Sequence, residues 1–187
     1  MKPGRMTPRC RNARLRMTGL LLALLVGAPI FASGAEPSRE DRIKAALVFK
    51  IAKFIEWPAG VIRDDALVVC AAGRSPVVAA LAGVDGRAVR GLHARYRHLA
   101  STAAEATEGC HLLYLTSEHV GRGIEHLPRG GAAILTVGEG EDFASHGGMI
   151  GLVNRGNRVG FEINLRAARA AGIRIAAPLL ELAEILE

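Results

Sequence analysis

The sequence lacks the residue patterns by which common metal and enzyme sites are recognised. Its six histidines form neither a His-x-His pair nor a His-Glu-x-x-His motif. Cys110 and His111 are adjacent, which on a strand sends their side chains to opposite faces. No serine lies in a Gly-x-Ser-x-Gly elbow. We therefore predict no metal, no cofactor and no catalytic residue, although a site assembled from distant residues stays open.

Two glycine-containing turns follow apolar runs, and neither is a complete phosphate-binding loop. Gly138-Glu139-Gly140 lacks the third glycine of a dinucleotide-binding fold, and its acidic residues would repel a pyrophosphate. The second turn ends in Arg74 and Ser75, ahead of a predicted helix. These two residues could hold a small anion at the start of that helix. Ordinary helix capping by Ser75 is the alternative interpretation.

The first 35 residues contain no acidic residue and lack an apolar run long enough to span a bilayer. An apolar stretch of about a dozen residues begins at Leu20, whereas a spanning helix needs roughly 20. Small residues follow the apolar stretch at positions 32–35. The basic residues that precede the stretch are Lys2, Arg5, Arg9, Arg11, Arg14 and Arg16. This pattern predicts a cleaved export signal over residues 1–35 and an exported domain over 36–187. An uncleaved N-terminal anchor is the alternative.

Loss of this leader would remove the chain's excess of positive charge. The whole sequence has 24 basic and 18 acidic residues, and six of the basic residues lie in the leader. The remaining 18 basic residues equal the acidic ones in number. Because nucleic-acid binding depends on a basic surface, a nucleic-acid partner is not expected.

Only two cysteines, Cys70 and Cys110, lie beyond the leader. In an oxidising compartment such a pair is usually bridged, and a bridge across 40 residues would stabilise the fold by roughly 4 kcal/mol. Cys70 comes late in its apolar run, whereas Cys110 opens its own, so parallel neighbouring strands would need an offset register to join them. Two free buried thiols are the alternative.

Apolar runs alternate with short helical patterns along the rest of the chain. The strand-like runs cover 67–72, 110–115 and 132–137, and Leu92–Leu99 reads as an edge strand whose arginines face water. Ser38 and Asp41 predict a helix start, with apolar positions 43, 46, 47, 51, 54 and 55 on its buried face. We predict a three-layer α/β/α sandwich with a mostly parallel sheet and an added C-terminal hairpin.

The hairpin is predicted from Met149–Val153, a turn at 154–157 and a second strand ending at Asn164, which caps the next helix. Arg158, Glu162 and Asn164 share the polar face of the second strand, opposite Phe161. A structural role for this face, with Glu162 paired to a neighbouring base such as Arg158, competes with a role in contacting a partner or ligand. Trp57 presents the same choice between core packing and partner contact.

Two segments of the chain resemble the YfiR-like family of periplasmic proteins. One is the run from Lys44 to Pro58, which includes Phe54-Ile55-Glu56-Trp57-Pro58. The other contains Gly147-Gly148-Met149-Ile150, Phe161-Glu162-Ile163-Asn164-Leu165 and a closing Leu179-Leu180-Glu181-Leu182-Ala183 helix.

The resemblance implies a Cys70–Cys110 bridge, and it allows a homodimer. It also implies a regulator that represses a membrane-bound diguanylate cyclase by docking on its periplasmic domain, which would lower cyclic-di-GMP. Partner or ligand contact is then predicted at Trp57, Arg158, Phe161, Glu162 and Asn164. The alternative function is a periplasmic small-molecule sensor component that acts on another membrane receptor, such as a histidine kinase.

Overall fold

The computed structural model describes residues 36–121, 132–156 and 158–186, which all belong to one compact unit. The predicted leader lies outside these residues. The strands are β1 Ile55–Glu56, β2 Ala66–Ala72, β3 Ala88–Val89, β4 Leu92–Leu99, β5 Leu112–Leu115, β6 Leu135–Glu139, β7 Ile150–Arg155, β8 Arg158–Asn164, β9 Arg174–Ile175 and β10 Glu184–Leu186. The α-helices are α1 Arg39–Ile51, α2 Pro76–Leu81, α3 Ala104–Thr107, α4 Ser117–Gly121, α5 Asp142–Ser145, α6 Leu165–Ala170 and α7 Ala177–Leu180.

Eight of these strands form one sheet in the order β10-β8-β7-β6-β5-β2-β4-β3. The five strands from β7 to β4 in this order are all parallel, and β10 is parallel to β8. The β7–β8 hairpin and the short β3–β4 pair are antiparallel. β1 and β9 form a separate two-stranded sheet. The predicted α/β class, with its mostly parallel sheet and added hairpin, is confirmed.

Both faces of the sheet are buried. Leu67, Leu112 and Leu135 face the larger core, which also contains residues of α1 and α2. Cys70 of β2 and Leu113 of β5 point to the opposite face of the sheet, where Phe143 of α5 packs. Because successive side chains of a strand alternate between faces, burial on both sides requires the nearly continuous apolar runs seen in the sequence.

The Cys70–Cys110 disulfide lies on the face of the smaller core. In the parallel register Cys70 is opposite Leu113, so Cys110 would lie too far along a straight strand. Gly109 has a φ of +73°, and the Cys110 N–H donates to the carbonyl of Thr107 at 3.0 Å. This turn brings Cys110 back towards Cys70, with the two Cα atoms 5.9 Å apart. The offset that the sequence required is therefore supplied by a turn before β5.

Helix α1 begins as predicted, but the face that it buries overlaps the predicted one only in part. Ser38 caps it, and Ser38 and Asp41 form a capping box. The buried residues are Ala45, Val48, Phe49 and Ile51, whereas the predicted core residue Ile43 is 46 % exposed. The α-helix also ends at Ile51, and a 3-10 turn leads into β1 before Trp57. The predicted stripe is confirmed at Ile51 and Ile55, which are both buried. It is wrong at Ile43, because Ala45, Val48 and Phe49 on the neighbouring face of the helix meet the sheet instead.

Several predicted element boundaries also differ from the structure. Strand β4 is flanked by β3 and is therefore not the outermost strand, although β3 covers only its first two residues. The third predicted strand lies at 135–139 instead of 132–137, and the hairpin strands continue to Arg155 and from Arg158. Helix α4 begins at Ser117. The predicted closing helix is a single turn, α7, and it is followed by the unpredicted strand β10.

The glycine pair at 147–148 is explained by the packing of Phe143. Gly147 has a φ of +107°, and open space surrounds the position where its Cβ would lie. Gly148 has no left-handed φ, but a Cβ there would overlap the fully buried ring of Phe143. One glycine therefore serves the backbone turn and the other serves close packing.

A Gly148→Ala substitution should lower the free energy of unfolding by about 1–3 kcal/mol, because overpacking a core costs that much. Urea denaturation measures the loss. Combining it with Phe143→Leu should recover part of the stability, since the smaller side chain makes room for the methyl group.

Gly147→Ala is the matched control, because its cost arises from backbone strain alone. The losses of stability caused by Gly147→Ala and by Phe143→Leu should be closer to additive than those caused by Gly148→Ala and Phe143→Leu. Equal coupling of both glycines to Phe143 would contradict this explanation.

Candidate functional site

The polar face of the β7–β8 hairpin is tied to the C-terminal strand by one arginine. The Arg155 guanidinium contacts the carboxylate of Glu162 at 3.0 Å and that of Glu184 at 2.5 Å. These three residues lie on β7, β8 and β10, so the cluster joins three neighbouring strands. Glu162 is paired with a neighbouring base, as its structural interpretation expects, but this base is Arg155 on the adjacent strand and not Arg158 on its own strand.

Glu162 is buried, with 6 % of its surface exposed. Burial raises the pKa of its carboxyl group, and the nearby Glu184 carboxylate adds to this, while Arg155 opposes both. The carboxylate is therefore held in a place that favours its neutral form unless Arg155 balances its charge.

Asn164 and Phe161 also have partners inside the domain. The Asn164 side chain accepts from the Ala167 N–H at 2.9 Å, which caps α6, and donates to the Ala144 carbonyl at 2.8 Å. Phe161 is buried in the larger core. Of the four hairpin residues predicted to contact a partner, only Arg158 is exposed. Contact through the other three would have to compete with these internal interactions, and it stays a prediction.

Trp57 lies at the opposite end of the sheet from the hairpin tip. Its indole N–H donates to the carbonyl of His111, just before β5, at 3.0 Å, and its half-buried ring packs against the larger core. It also lines a cavity of about 350 Å³, together with Glu56 and Arg90. Core packing and access to a ligand are therefore both open to this residue.

His111 was considered in the sequence only as an unlikely metal ligand, but its imidazole makes structural hydrogen bonds to two other segments of the chain. Nδ1 accepts from the Val68 N–H at 2.9 Å, and Nε2 lies 3.3 Å from the Val61 carbonyl. Because an amide can only donate, Nδ1 must be unprotonated and Nε2 carries the hydrogen. Burial lowers the pKa of His111. The neutral ring therefore joins β2 to the loop before it.

The predicted anion site at Arg74 and Ser75 contains a capped helix start. The Ser75 hydroxyl accepts from the Val78 N–H at 3.2 Å, as in ordinary capping. Arg74 is exposed, and it has no hydrogen bond or ion pair to another described residue. At the adjacent Gly73, a Cβ would collide with the side chains of Thr116 and His119. The geometry thus explains Ser75 without a ligand.

A second buried polar network, which the sequence analysis did not find, joins α1 to the sheet. The fully buried Tyr114 hydroxyl donates to the Glu139 carboxylate. Burial raises the pKa of Tyr114, and the charge of Glu139 raises it further. Lys44 lies 3.9 Å from Glu139 and 3.0 Å from Glu40. No sequence signal joins these residues, because α1, β5 and β6 meet only in the folded chain.

A groove lies beside this network, between the first turns of α1 and the tip of the hairpin. We call it the hairpin groove; its volume is about 550 Å³. Ile43 and Val159 supply its apolar surface, and Arg39 and Arg158 lie among its lining residues. Sequence reasoning found Arg158 but assigned Ile43 to the core.

Membrane-spanning helices and clustered metal ligands are both absent from the described ranges. No helix among these residues is both long and apolar enough to cross a bilayer. The same residues contain no group of three or more histidine, cysteine or acidic side chains placed to hold a metal ion.

A doubly covered, mostly parallel sheet with a disulfide at its smaller core defines a disulfide-bridged α/β protein. The chain belongs to the YfiR/HmsC-like family, whose sequence model matches residues 41–184. No curated protein sequence matches the chain.

Replacing Arg155 with Gln should lower the free energy of unfolding at pH 7 by about 1–3 kcal/mol, because a buried carboxylate loses its cation. The loss should shrink in acid. Since the folded pKa of Glu162 is raised above its ordinary 4.5, the residue is protonated first in the folded protein and then needs no cation. Urea denaturation at a series of pH values tests this.

Arg158→Gln is the control for Arg155, since this exposed residue lies directly opposite on the hairpin. It should change stability by about 0.5 kcal/mol or less. Equal losses in the two variants would show that Glu162 does not depend on Arg155.

Stability should also fall as the pH drops below 6.5, the ordinary pKa of His111. The unfolded chain then takes up a proton that the folded chain, with its lowered pKa, does not. The decline should end near the folded pKa. Thermal unfolding at pH 5–8 should show a weaker pH dependence in His111→Asn, whereas the exposed His93→Asn should behave as the wild type.

Proposed function

We propose that this chain is an exported periplasmic regulator that represses an inner-membrane diguanylate cyclase. Residues 1–35 act as a cleaved leader, and residues 36–187 form the working domain. This domain docks on the periplasmic part of the cyclase and so lowers cyclic-di-GMP made on the other side of the membrane. It has no catalytic role.

Membership of the YfiR/HmsC-like family is the observation that carries this proposal. The disulfide between Cys70 and Cys110 supports an oxidising compartment, because such bridges are rare in reducing ones. The basic, acid-free leader supports export by its sequence pattern. The polar side chains of the hairpin support a non-catalytic role, since their described contacts tie strands and cap a helix.

Repression requires only that the domain bind the inactive form of the receptor more tightly than the active form. A preference of about 2.7 kcal/mol would shift the ratio of the two forms roughly a hundredfold. No chemical step is needed. The receptor's own conformational change carries the signal across the membrane.

Deleting the coding sequence should raise the cellular concentration of cyclic-di-GMP, and expression of the full chain should return it to the original low level. Expression of residues 36–187 without the leader should not, because that product stays in the cytoplasm. Quantification of cyclic-di-GMP by mass spectrometry, with immunoblots to match protein levels, measures both effects.

Unchanged cyclic-di-GMP in the deletion strain would contradict the regulatory proposal. Full complementation by the leaderless chain would contradict a periplasmic site of action. The two results are independent, so each part of the proposal can fail separately.

The cavity beside Trp57 favours a second candidate, a small-molecule sensor component that acts on another membrane receptor. Its volume of about 350 Å³ is at the lower end of the usual range for small-ligand sites. Apolar side chains supply most of its lining, and Glu56 and Arg90 add one charge of each sign. A metabolite that raises the melting temperature, with unchanged cyclic-di-GMP in the deletion strain, would favour this candidate.

A further inference from the structure

The hairpin groove combines exposed apolar surface with an excess of positive charge in its lining. Ile43 is 46 % exposed, which makes it one of two large hydrophobic residues so exposed within the described ranges. Val159, on the facing hairpin, is half-buried. Among surface residues an exposed isoleucine is unremarkable alone, but here it lines a concave groove together with a second branched side chain.

Two arginines border this apolar surface, and their side chains make no stabilising polar contact with the described part of the domain. Arg39 and Arg158 are exposed, and neither side chain has an ion pair or hydrogen bond with any other described residue. Arg39 is also the first residue of α1, where the helix dipole disfavours a positive charge. Neither charge has a stabilising role in the isolated domain.

The acidic residues near the groove are already engaged. Glu40, which also lines it, contacts Lys44, and Lys44 is shared with Glu139. On the hairpin, Glu162 and Glu184 are both engaged by Arg155. Lys44 and Arg155 each face two carboxylates, so some acidic charge remains nearby. Within the lining itself, Arg39 and Arg158 outnumber Glu40 by two to one, which leaves a net charge of +1.

We propose that the hairpin groove binds an acidic segment of the receptor's periplasmic domain, in which an apolar side chain is flanked by aspartate or glutamate. The apolar side chain packs on Ile43 and Val159, and the flanking carboxylates pair with Arg39 and Arg158. Charge complementarity selects this occupant over a basic or neutral segment. The inference rests on the proposed function, since it names the surface through which that function acts.

Photo-crosslinking in living cells tests the proposal. A p-benzoylphenylalanine substitution at Ile43 keeps the position apolar, and the same substitution at Leu182, which is 74 % exposed, is the control. Position 43 should crosslink to the periplasmic part of a membrane-bound diguanylate cyclase, at a peptide with an acidic residue beside an apolar one. Position 182 should not crosslink to this peptide.

Charge reversal provides a second, independent measurement. Adding Arg39→Glu and Arg158→Glu should reduce the yield from position 43 by about tenfold or more, because like charges then face each other. Reversing Arg95 and Arg166, two exposed arginines away from the groove, should leave the yield unchanged. Melting temperatures of the variants verify that each one folds.

Four outcomes would overturn the proposal: a crosslink from position 43 to a second copy of the chain, to a different protein, to lipid, or to nothing. A yield that charge reversal does not reduce would also overturn it. The charge-reversed chain should fail to lower cyclic-di-GMP in the deletion strain. If it succeeds while the empty strain is high in cyclic-di-GMP, the groove assignment fails and the regulatory function stands.

Discussion

Burial of the central strands on both faces is the constraint on which the rest of this structure depends. Strands β2, β5 and β6 are covered by helices above and below, so a polar side chain can enter only with a partner already in place. Tyr114 meets Glu139, and the Thr136 hydroxyl accepts from the Met149 N–H at 3.0 Å. These central strands can consequently meet another molecule only at their two ends.

The two ends of the sheet are secured differently. Before β5, the disulfide and the neutral His111 ring act on consecutive residues, and His111 also accepts the indole N–H of Trp57 through its carbonyl. This end is held by one covalent bond and by hydrogen bonds that involve no ion pair, and the Arg97 guanidinium adds hydrogen bonds to the carbonyls of Ala106 and Glu108. The hairpin end is held by charges instead, through Arg155 and its two carboxylates. Salt and pH therefore act mainly on the hairpin end, apart from the protonation of His111.

Those features that arise from local sequence were predictable, and those that arise from tertiary packing were not. The capping box at Ser38 and the N-cap at Asn164 depend on residues three apart, so the sequence reveals them. The buried face of α1 could not be chosen, because two overlapping apolar stripes run along it and only contact with the sheet selects one. Likewise, the choice of Arg155 over Arg158 for Glu162 depends on where the hairpin turns, and β10 is too short to leave a pattern.

The position of the two hairpin arginines connects the internal clamp with the external groove. Arg155 and Arg158 lie directly opposite each other on an antiparallel pair, where like charges normally destabilise. Glu162 and Glu184 neutralise Arg155 and so remove that repulsion. Arg158 can then remain charged and unpaired at the tip without a large cost to the hairpin. Glu162, which the sequence suggested as a contact residue, thus acts indirectly. By engaging Arg155, it allows the unpaired Arg158 to remain exposed at the hairpin tip.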